Sequence, residues 1–314
     1  MARAFVFPGQ GSQAVGMGKA LAEAFPQARG VLDEVDAALS QKLSRLMFEG
    51  PADALTLTAN AQPALMAGSL ATIRVLEAEA GLDLARDAAF VAGHSLGEYS
   101  ALAAAGTFSV ADAARLLRIR GEAMQSATPV GVGAMAALLG LEIEAAAEVA
   151  QEAAQGQVCD VANDNGGAQV VVSGHKAAVE RAVALAPAKG AKRAVMLTVS
   201  APFHCALMAP AAAAMRDALA KVAMRAPVVP VVANVEAAPL TDPAAIRDAL
   251  VRQVTATVRW RECVAAMAGQ GVDRFYEIGA GKVLTGLVRR IAPGATGTAI
   301  GTPEDVQAFK AALA

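Results

Sequence analysis

The pentapeptide Gly93-His94-Ser95-Leu96-Gly97 constrains the fold more strongly than any other part of this sequence. It has the pattern G-x-S-x-G, follows an apolar run at residues 88–92 and precedes a long alanine-rich segment. That order predicts a strand, a sharp turn and a helix, the setting in which a serine hydroxyl is held clear of a sheet edge. Ser95 is therefore a candidate nucleophile, and the alternative is a serine that only caps the helix.

Five short apolar runs typical of strands alternate with longer helical patterns along the chain. The runs are residues 3–7, 88–92, 228–235, 274–278 and 298–301. Alternation of this kind predicts an α/β protein with a mainly parallel sheet. We expect a large α/β-hydrolase-like domain formed by residues 1–127 and 198–314.

The segment at residues 128–197 departs from this alternation. Its predicted elements are strand, helix, strand, strand, helix and strand, at residues 134–139, 142–155, 158–162, 169–173, 176–186 and 193–199. That is the β-α-β-β-α-β order of a ferredoxin-like module. We therefore expect a small ferredoxin-like domain inserted into the large one.

Composition excludes several classes of function. The formal net charge of −2 and the lack of a basic run argue against a nucleic-acid partner. Cys159, Cys205 and Cys263 are odd in number and never in C-x-x-C spacing, which favours a reducing compartment without structural zinc. The longest uncharged apolar run, residues 206–215, contains a proline and is too short to span a bilayer. We expect a cytoplasmic monomer with no membrane partner.

A serine nucleophile needs a base, because its hydroxyl is weakly nucleophilic at its own pKa. The chain has three histidines, His94, His175 and His204. In a tight turn the side chain of His94 should point away from its neighbour Ser95, and His175 lies in a polar turn. His204 follows a predicted strand and comes after the serine, as in α/β hydrolases. By elimination His204 is the candidate base, and the alternative is a core or capping histidine.

Two other parts of such a site are less well defined. No acidic residue that could orient His204 lies in a recognisable motif, so a backbone carbonyl is the alternative. The acids considered are Glu236, Asp242 and Asp248. The glycine-rich turn after the first strand, near Gln10, could supply a backbone N–H to an oxyanion beside that of Leu96.

Arg120 is a candidate for a buried charge. The helix that begins after Ser109 has an apolar stripe of Ala113, Leu117 and Met124, and Arg120 lies on the same stripe. An arginine on a buried face must be paired, since an uncompensated buried charge costs several kcal/mol. An acidic side chain and an anionic ligand gripped by the guanidinium are equally open as its partner.

Seven segments resemble, in the same order, motifs of the malonyl-CoA:acyl carrier protein transacylases, the acyltransferases of fatty acid synthesis. They are Phe7-Pro8-Gly9-Gln10-Gly11-Ser12-Gln13, Asn60-Ala61-Gln62-Pro63-Ala64, Gly93-His94-Ser95-Leu96-Gly97-Glu98-Tyr99, Arg120-Gly121, Pro202-Phe203-His204, Arg252-Gln253 and Lys282-Val283-Leu284-Thr285-Gly286-Leu287. The resemblance covers nearly the whole chain. Two positions depart from it: Ala280 stands where proline is frequent, and Thr255-Ala256-Thr257 stands where asparagine and proline are common.

The resemblance implies a role for each site residue. Ser95 would be the nucleophile and His204 its general base and acid. The backbone N–H groups of Gln10 and Leu96 would form the oxyanion hole. The backbone carbonyl of Gln253 would orient His204, so that no acid is needed.

The resemblance also implies the substrates. Malonyl-CoA would donate its acyl group to the phosphopantetheine thiol of acyl carrier protein by a ping-pong mechanism, without a cofactor or metal. Arg120 would bind the malonyl carboxylate, and Phe203 would leave no room for an α-methyl group. A serine hydrolase and a catalytically silent module that binds the carrier protein are the alternative functions.

Overall fold

The computed structural model describes residues 2–313, which contain ten strands and fifteen α-helices. The strands are β1 (Ala2–Phe7), β2 (Phe90–Gly93), β3 (Gly133–Leu139), β4 (Cys159–Asp164), β5 (Gln169–His175), β6 (Arg193–Met196), β7 (Val231–Ala233), β8 (Ala238–Leu240), β9 (Val272–Ile278) and β10 (Thr296–Ile300). The helices are α1 (Lys19–Ala24), α2 (Pro26–Leu39), α3 (Leu43–Glu49), α4 (Ala52–Thr56), α5 (Thr58–Ala80), α6 (Leu84–Asp87), α7 (Gly97–Ala104), α8 (Val110–Ser126), α9 (Ile143–Ala154), α10 (Lys176–Leu185), α11 (Ala209–Leu219), α12 (Pro243–Gln253), α13 (Trp260–Gly269), α14 (Val283–Ile291) and α15 (Pro303–Leu313). Two 3-10 helices span Ala186–Lys189 and Ala206–Met208.

The larger sheet has the strand order β10-β9-β1-β2-β7-β8. Its first five strands are parallel and β8 is an antiparallel edge strand. Alternate residues of β1 face opposite layers: Ala4 and Val6 pack with α13 and α14, whereas Phe5 and Phe7 join the core around α5 and α8. The prediction of a mainly parallel sheet in a mixed α/β protein is therefore confirmed.

Helix α5 crosses the centre of the larger core and is buried on nearly all sides. Helix α8 approaches it closely at Gly121, where an added Cβ would lie 2.7 Å from the Thr58 oxygen and from Ala59 Cα. This contact requires glycine, and it places Arg120 against α5.

The smaller sheet is antiparallel, with the order β4-β5-β3-β6. One face carries α9 and α10 over an apolar cluster that includes Leu138 and Val172. The other face, with Met135, Ala137 and Val171, packs onto the larger core. The predicted order of six elements between residues 133 and 196 is confirmed, with the last strand ending at Met196.

The free edge of β4 is joined to the segment that follows α12. The Val258 N–H donates to the Ala162 oxygen at 2.9 Å, and the Asp164 N–H donates to the Val258 oxygen at 3.0 Å. The Thr257 hydroxyl donates to the Val161 oxygen at 2.5 Å. The two sheets are therefore tied together beside the end of α12.

Two predictions about strands differ from the structure. The run predicted at residues 228–235 forms a strand only at Val231–Ala233, because Pro230 has no N–H to donate and the N–H of Asn234 donates to Glu98 Oε2 instead of a neighbouring strand. Strand β8 was not predicted, since it has three residues and a proline at its centre. No helix within residues 2–313 combines the length and apolar character needed to cross a bilayer.

Candidate active site

Ser95 lies in the turn between β2 and α7, as the pentapeptide predicts. Its φ of +54° is left-handed. Glycine is required on both sides, because a Cβ on Gly93 would lie 1.9 Å from the Gly97 carbonyl and a Cβ on Gly97 would lie 2.2 Å from the Phe7 oxygen. The turn is therefore packed tightly against the end of β1, with the Ser95 side chain lining a cavity.

His204 lies against the serine. Ser95 Oγ and His204 Nε2 are 2.7 Å apart, and His204 Nδ1 is 2.8 Å from the backbone oxygen of Gln253. A carbonyl oxygen can only accept, so Nδ1 carries the proton and Nε2 presents its lone pair to the serine hydroxyl. Burial, and secondly the positive charge of Arg120, lower the pKa of His204 to about 3. The imidazole is thus neutral near pH 7 and able to accept a proton.

Both members of the pair have strained backbones. The φ of His204 is +58°, close to the +54° of Ser95. Left-handed conformations of residues other than glycine cost about 1–3 kcal/mol and persist only where surrounding contacts hold them. The loop after His204 is fixed to the smaller sheet, since the Ala206 N–H donates to Asp160 Oδ2 at 2.9 Å.

The other two histidines have partners elsewhere. His94 Nε2 is 2.8 Å from Asn165 Oδ1, and burial lowers the pKa of this imidazole. His175 ends β5 and its Nδ1 accepts the N–H of Val158 at 3.0 Å. Of the three rings, that of His204 lies within hydrogen-bond distance of Ser95 Oγ, and its role as the base stays a prediction.

None of the three acids considered in the sequence contacts His204. Glu236 and Asp248 both pair with Arg252, and Asp242 accepts the N–H of Ala245 at the start of α12. The ring is held by a backbone carbonyl instead. The carbonyl belongs to Gln253, the last residue of α12, two residues before the Thr255-Ala256-Thr257 segment that packs on β4.

Arg120 is 1% exposed and points into the same cavity. Its Nη1 donates to Gln62 Oε1 at 2.8 Å, while Nη2 donates to Gln253 Oε1 at 2.9 Å and to Ser95 Oγ at 3.1 Å. Its guanidinium carbon lies 5.7 Å from the centroid of the Tyr99 ring. Burial lowers the pKa of this guanidinium. Among residues 2–313 no carboxylate forms an ion pair with Arg120. The acceptors of its hydrogen bonds are two neutral amides and a hydroxyl, and the Glu98 carboxylate acts on it from beyond ion-pair distance.

The cavity has a volume of about 340 Å³ and lies between the two sheets. Gln10 and Leu96 line it beside Ser95. Among the described residues neither of their backbone N–H groups donates a hydrogen bond to another protein group. The remaining wall is mostly apolar and is formed by Met124, Met135, Leu197, Val199 and Phe203. A small acyl group with one charged end fits this combination of apolar wall and single cation.

Several polar residues of the site had no assigned role in the sequence. Gln62 and Glu98 lie within matched motifs but show no pattern that predicts a contact, and Asn165 and Asn234 lie in no motif at all. Burial raises the pKa of Glu98 to about 7, against hydrogen bonds and the charge of Arg120 that lower it. Within the described part of the chain no group of three or more His, Cys, Asp or Glu side chains is arranged to hold a metal ion.

The class of protein follows from the family that the chain matches. Residues 4–302 match the family described as acyl transferase domain. A serine paired with histidine beside unpaired N–H groups is the arrangement that acyl transfer requires. The chain is therefore an acyltransferase.

Individual proteins that align with nearly the whole chain define the family within that class. The malonyl CoA-acyl carrier protein transacylase of Escherichia coli K12 is 50% identical over 305 residues, which cover 97% of each chain. The crystal structure of acyl-carrier-protein-S-malonyltransferase from Bartonella henselae has a TM-score of 0.97 at 58% identity and covers 100% of this chain and 99% of that one. A malonyl-transacylase solved in complex with a type II PKS acyl-carrier protein has a TM-score of 0.96 at 43% identity, covering 99% and 100%. The chain belongs to the malonyl CoA-acyl carrier protein transacylase family, and the resemblance read from its motifs is confirmed.

Proposed function

We propose that this protein transfers the malonyl group of malonyl-CoA to the phosphopantetheine thiol of an acyl carrier protein, which supplies malonyl-carrier protein for fatty acid biosynthesis. The transfer is ping-pong and passes through a malonyl ester of Ser95. The observation that carries this proposal is Arg120, a buried cation whose Nη2 lies 3.1 Å from Ser95 Oγ and which forms no ion pair with a carboxylate among the described residues. The names of the relatives support the same substrates.

In the first half-reaction His204 Nε2 takes the proton of the Ser95 hydroxyl while Oγ attacks the thioester carbonyl of malonyl-CoA. The N–H groups of Gln10 and Leu96 receive the oxyanion. The C–S bond then breaks, and the CoA sulfur leaves with the proton held on His204. The products are malonyl-Ser95 and free CoA.

The second half-reaction reverses these roles. The phosphopantetheine thiol of the carrier protein gives its proton to His204, and the sulfur attacks the ester carbonyl of malonyl-Ser95. The Ser95 oxygen leaves and recovers the proton. The backbone carbonyl of Gln253 keeps the imidazole in one tautomer throughout, because Nδ1–H remains bound to it.

Arg120 accounts for the choice of a malonyl group over an acetyl group. Its guanidinium offers N–H groups to a carboxylate, and an acetyl methyl group offers nothing in return. The carboxylate would also offset the positive charge that lowers the pKa of His204. A malonyl group therefore strengthens the base that acts on its own thioester.

Phe203 accounts for the exclusion of branched acyl groups. It is buried beside His204 and lines the cavity. A clash with an α-methyl group can exceed the ~1–3 kcal/mol that pocket burial alone discriminates. We propose that Phe203 selects malonyl over methylmalonyl.

The two sheets support a division into two domains. We propose a hydrolase-like domain of residues 1–127 and 198–314 with a ferredoxin-like domain of residues 128–197 inserted into it. The antiparallel order β4-β5-β3-β6 and the separate apolar cluster under α9 and α10 support this division. The cavity between the sheets then lies where two domains meet, a common place for a substrate site.

The test is the intact mass of the protein after brief incubation with malonyl-CoA, acetyl-CoA or methylmalonyl-CoA. We expect a malonyl adduct on the wild type, no adduct on Ser95→Ala, and little adduct with the other two thioesters. Addition of carrier protein should then discharge the adduct and yield malonylated carrier protein.

Other outcomes contradict the proposal in different ways. Release of CoA without an adduct would indicate a serine hydrolase. Neither adduct nor CoA release would indicate a silent module or a different substrate. An adduct on Ser95→Ala would place the nucleophile elsewhere.

A further inference from the structure

Both peptide groups of Ser95 are bound by side chains from distant segments. The Ser95 N–H donates to Asn234 Oδ1 at 2.8 Å. The Ser95 carbonyl accepts Gln253 Nε2 at 3.0 Å, in addition to the N–H of Glu98 within the first turn of α7. A left-handed residue is thus held from both sides by groups outside its own turn.

Asn234 spans the turn. It is fully buried directly after β7, and its Nδ2 donates to the Gly93 oxygen at 2.7 Å while its Oδ1 accepts the Ser95 N–H. One amide therefore fixes the peptide groups on either side of His94. No other residue type of this length offers both a donor and an acceptor at one planar end.

Glu98 joins the two distant segments to each other. Its Oε2 accepts the backbone N–H of Asn234 at 2.9 Å and Nε2 of Gln253 at 2.9 Å. Glu98 is 1% exposed, so water does not replace these partners. The carboxylate thereby fixes both residues that hold the Ser95 peptide groups.

Gln253 extends the network to the base and to the cation. Its backbone oxygen accepts Nδ1–H of His204, and its side-chain Oε1 accepts Nη2 of Arg120. The same residue therefore contacts the peptide of Ser95, the ring of His204 and the guanidinium of Arg120. A shift of the Gln253 amide would move all three.

We propose that Asn234 and Glu98 are positioning residues which, with the side-chain amide of Gln253, form a clasp that holds Ser95 in its left-handed conformation and its Oγ against His204. The inference rests on the proposed role of Ser95 as the nucleophile. It assigns a positioning function to three buried polar side chains whose hydrogen bonds would otherwise only satisfy buried polar groups.

The clasp predicts an effect on rate rather than on binding. Without it the strain in Ser95 can relax, and a displacement of about 1 Å at a reacting atom can lower a rate ~10²-fold. Malonyl-CoA would still reach Arg120 and the apolar wall. A merely structural network predicts a lower melting temperature with an unchanged acylation rate per folded molecule.

The experiment measures acylation of Ser95 by malonyl-CoA with rapid quenching and intact mass, over a range of malonyl-CoA concentrations. For Asn234→Ala we expect a maximal acylation rate constant about 100-fold lower, with the half-saturating concentration unchanged. The maximal acylation rate constant of Glu98→Leu should also be lower than that of the wild type. Glu98→Gln, which keeps an oxygen acceptor for both partners, should recover most of that loss.

A matched control is Asp36→Ala. Asp36 is another buried acid whose oxygens accept the N–H and hydroxyl of Ser44 at 2.8 and 2.7 Å, and neither residue lines the cavity. It should lower the melting temperature and leave the acylation rate constant at the wild-type value.

Two results would overturn the clasp. One is acylation of folded Asn234→Ala at the wild-type rate, and the other is a rate for Glu98→Gln as low as that for Glu98→Leu. If Asn234→Ala does not fold, the Glu98 pair decides the same question. Absence of the adduct on the wild type would overturn the proposed function as well, whereas a wild-type adduct with unaffected variants would overturn the clasp alone.

Discussion

Two of the buried regions of this molecule contrast in the side chains that they contain. Beneath α9 and α10 the smaller sheet buries an apolar cluster: Ala134, Ala136, Leu138, Leu141, Ala146, Val149, Ala150, Ala153, Cys159, Val170, Val172, Ala178, Val179, Ala182 and Ala186. At the end of β2 the larger sheet buries an acid, a cation, an imidazole and two amides: Glu98, Arg120, His204, Asn234 and Gln253. The side chains of both regions are almost fully buried, although the polar region borders the cavity, and burial has opposite consequences in the two.

Burial of apolar surface stabilises the folded chain by roughly 25 cal/mol per Å². Burial of polar and charged groups costs free energy unless each finds a partner. The smaller sheet therefore contributes stability, and the polar cluster depends on the rest of the fold to hold it. We infer that changes in the two regions should separate stability from catalysis.

The largest effect should come from His204→Ala. Loss of a general base typically lowers a rate 10²–10⁴-fold, and we expect an acylation rate constant about 10³-fold lower. The melting temperature should change little, because the imidazole faces the cavity rather than a packed core. Stopped-flow release of CoA and thermal unfolding measure the two quantities. A much lower melting temperature of His204→Ala, with a near-normal acylation rate constant per folded molecule, would contradict the contrast between the polar and apolar regions.

Leu138→Ala should show the opposite behaviour. Leu138 is fully buried under α9 and α10, and truncation of a buried leucine costs about 2–5 kcal/mol of unfolding free energy. The rate constant per folded molecule should equal that of the wild type. Urea unfolding gives the stability, with Leu139→Ala at the half-buried end of the same strand as a milder control. A slower acylation step in folded Leu138→Ala would show that the small core also positions the site.

Arg120→Gln tests the cation at the centre of the polar cluster. A hydrogen bond to a charged group contributes about 1.5–3 kcal/mol, so kcat/KM for malonyl-CoA should fall roughly 10–150-fold while that for acetyl-CoA does not. Arg115→Gln is the control, because Arg115 is exposed on the same helix. Unchanged preference for malonyl over acetyl thioester in Arg120→Gln would remove the basis of the proposed selectivity.

The smallest effect, counted per unit of pH, is a pair of opposite slopes of unfolding free energy against pH. The pKa of His204 falls from 6.5 to about 3 on folding, so its stabilising contribution is complete above pH 6.5 and is lost as pH falls towards 3. The pKa of Glu98 rises from 4.5 to about 7, so its contribution is complete below pH 4.5 and is lost as pH rises through 7. Each slope can reach ~1.4 kcal/mol per pH unit.

Unfolding free energies at several pH values separate these slopes. Relative to the wild type, Glu98→Gln should gain stability as pH rises from 4.5 to 7, and His204→Ala should gain stability as pH falls below 6.5. Arg120 faces both groups and keeps its charge over this range, so it does not add a slope. Parallel curves of unfolding free energy against pH for the wild type and Glu98→Gln would show that folding does not raise the pKa of Glu98.

The sequence predicted those parts of the protein that depend on local pattern. The pentapeptide predicts the strand, turn and helix around Ser95 because only glycine fits a turn so sharp that an added Cβ would clash with neighbouring backbone. The six elements between residues 133 and 196 follow from short-range periodicity. His204 could be selected because only three histidines exist, and the structure places its ring 2.7 Å from Ser95 Oγ.

Tertiary structure alone decided how the pair is held. The Ser95 peptide is bound by Asn234, 139 residues away, and by Gln253, 158 residues away. No periodicity links residues so distant, and a buried amide or acid has the same local sequence whether it serves a nucleophile or only its neighbours. The left-handed φ of His204 is likewise imposed from outside, by contacts with α12 and the smaller sheet. The sequence by itself determined which groups we propose as the reacting ones and the elements that carry them, because those depend on residue type and short-range geometry. Their distances and pKa values depend on burial and on contacts that exist only when the chain is folded.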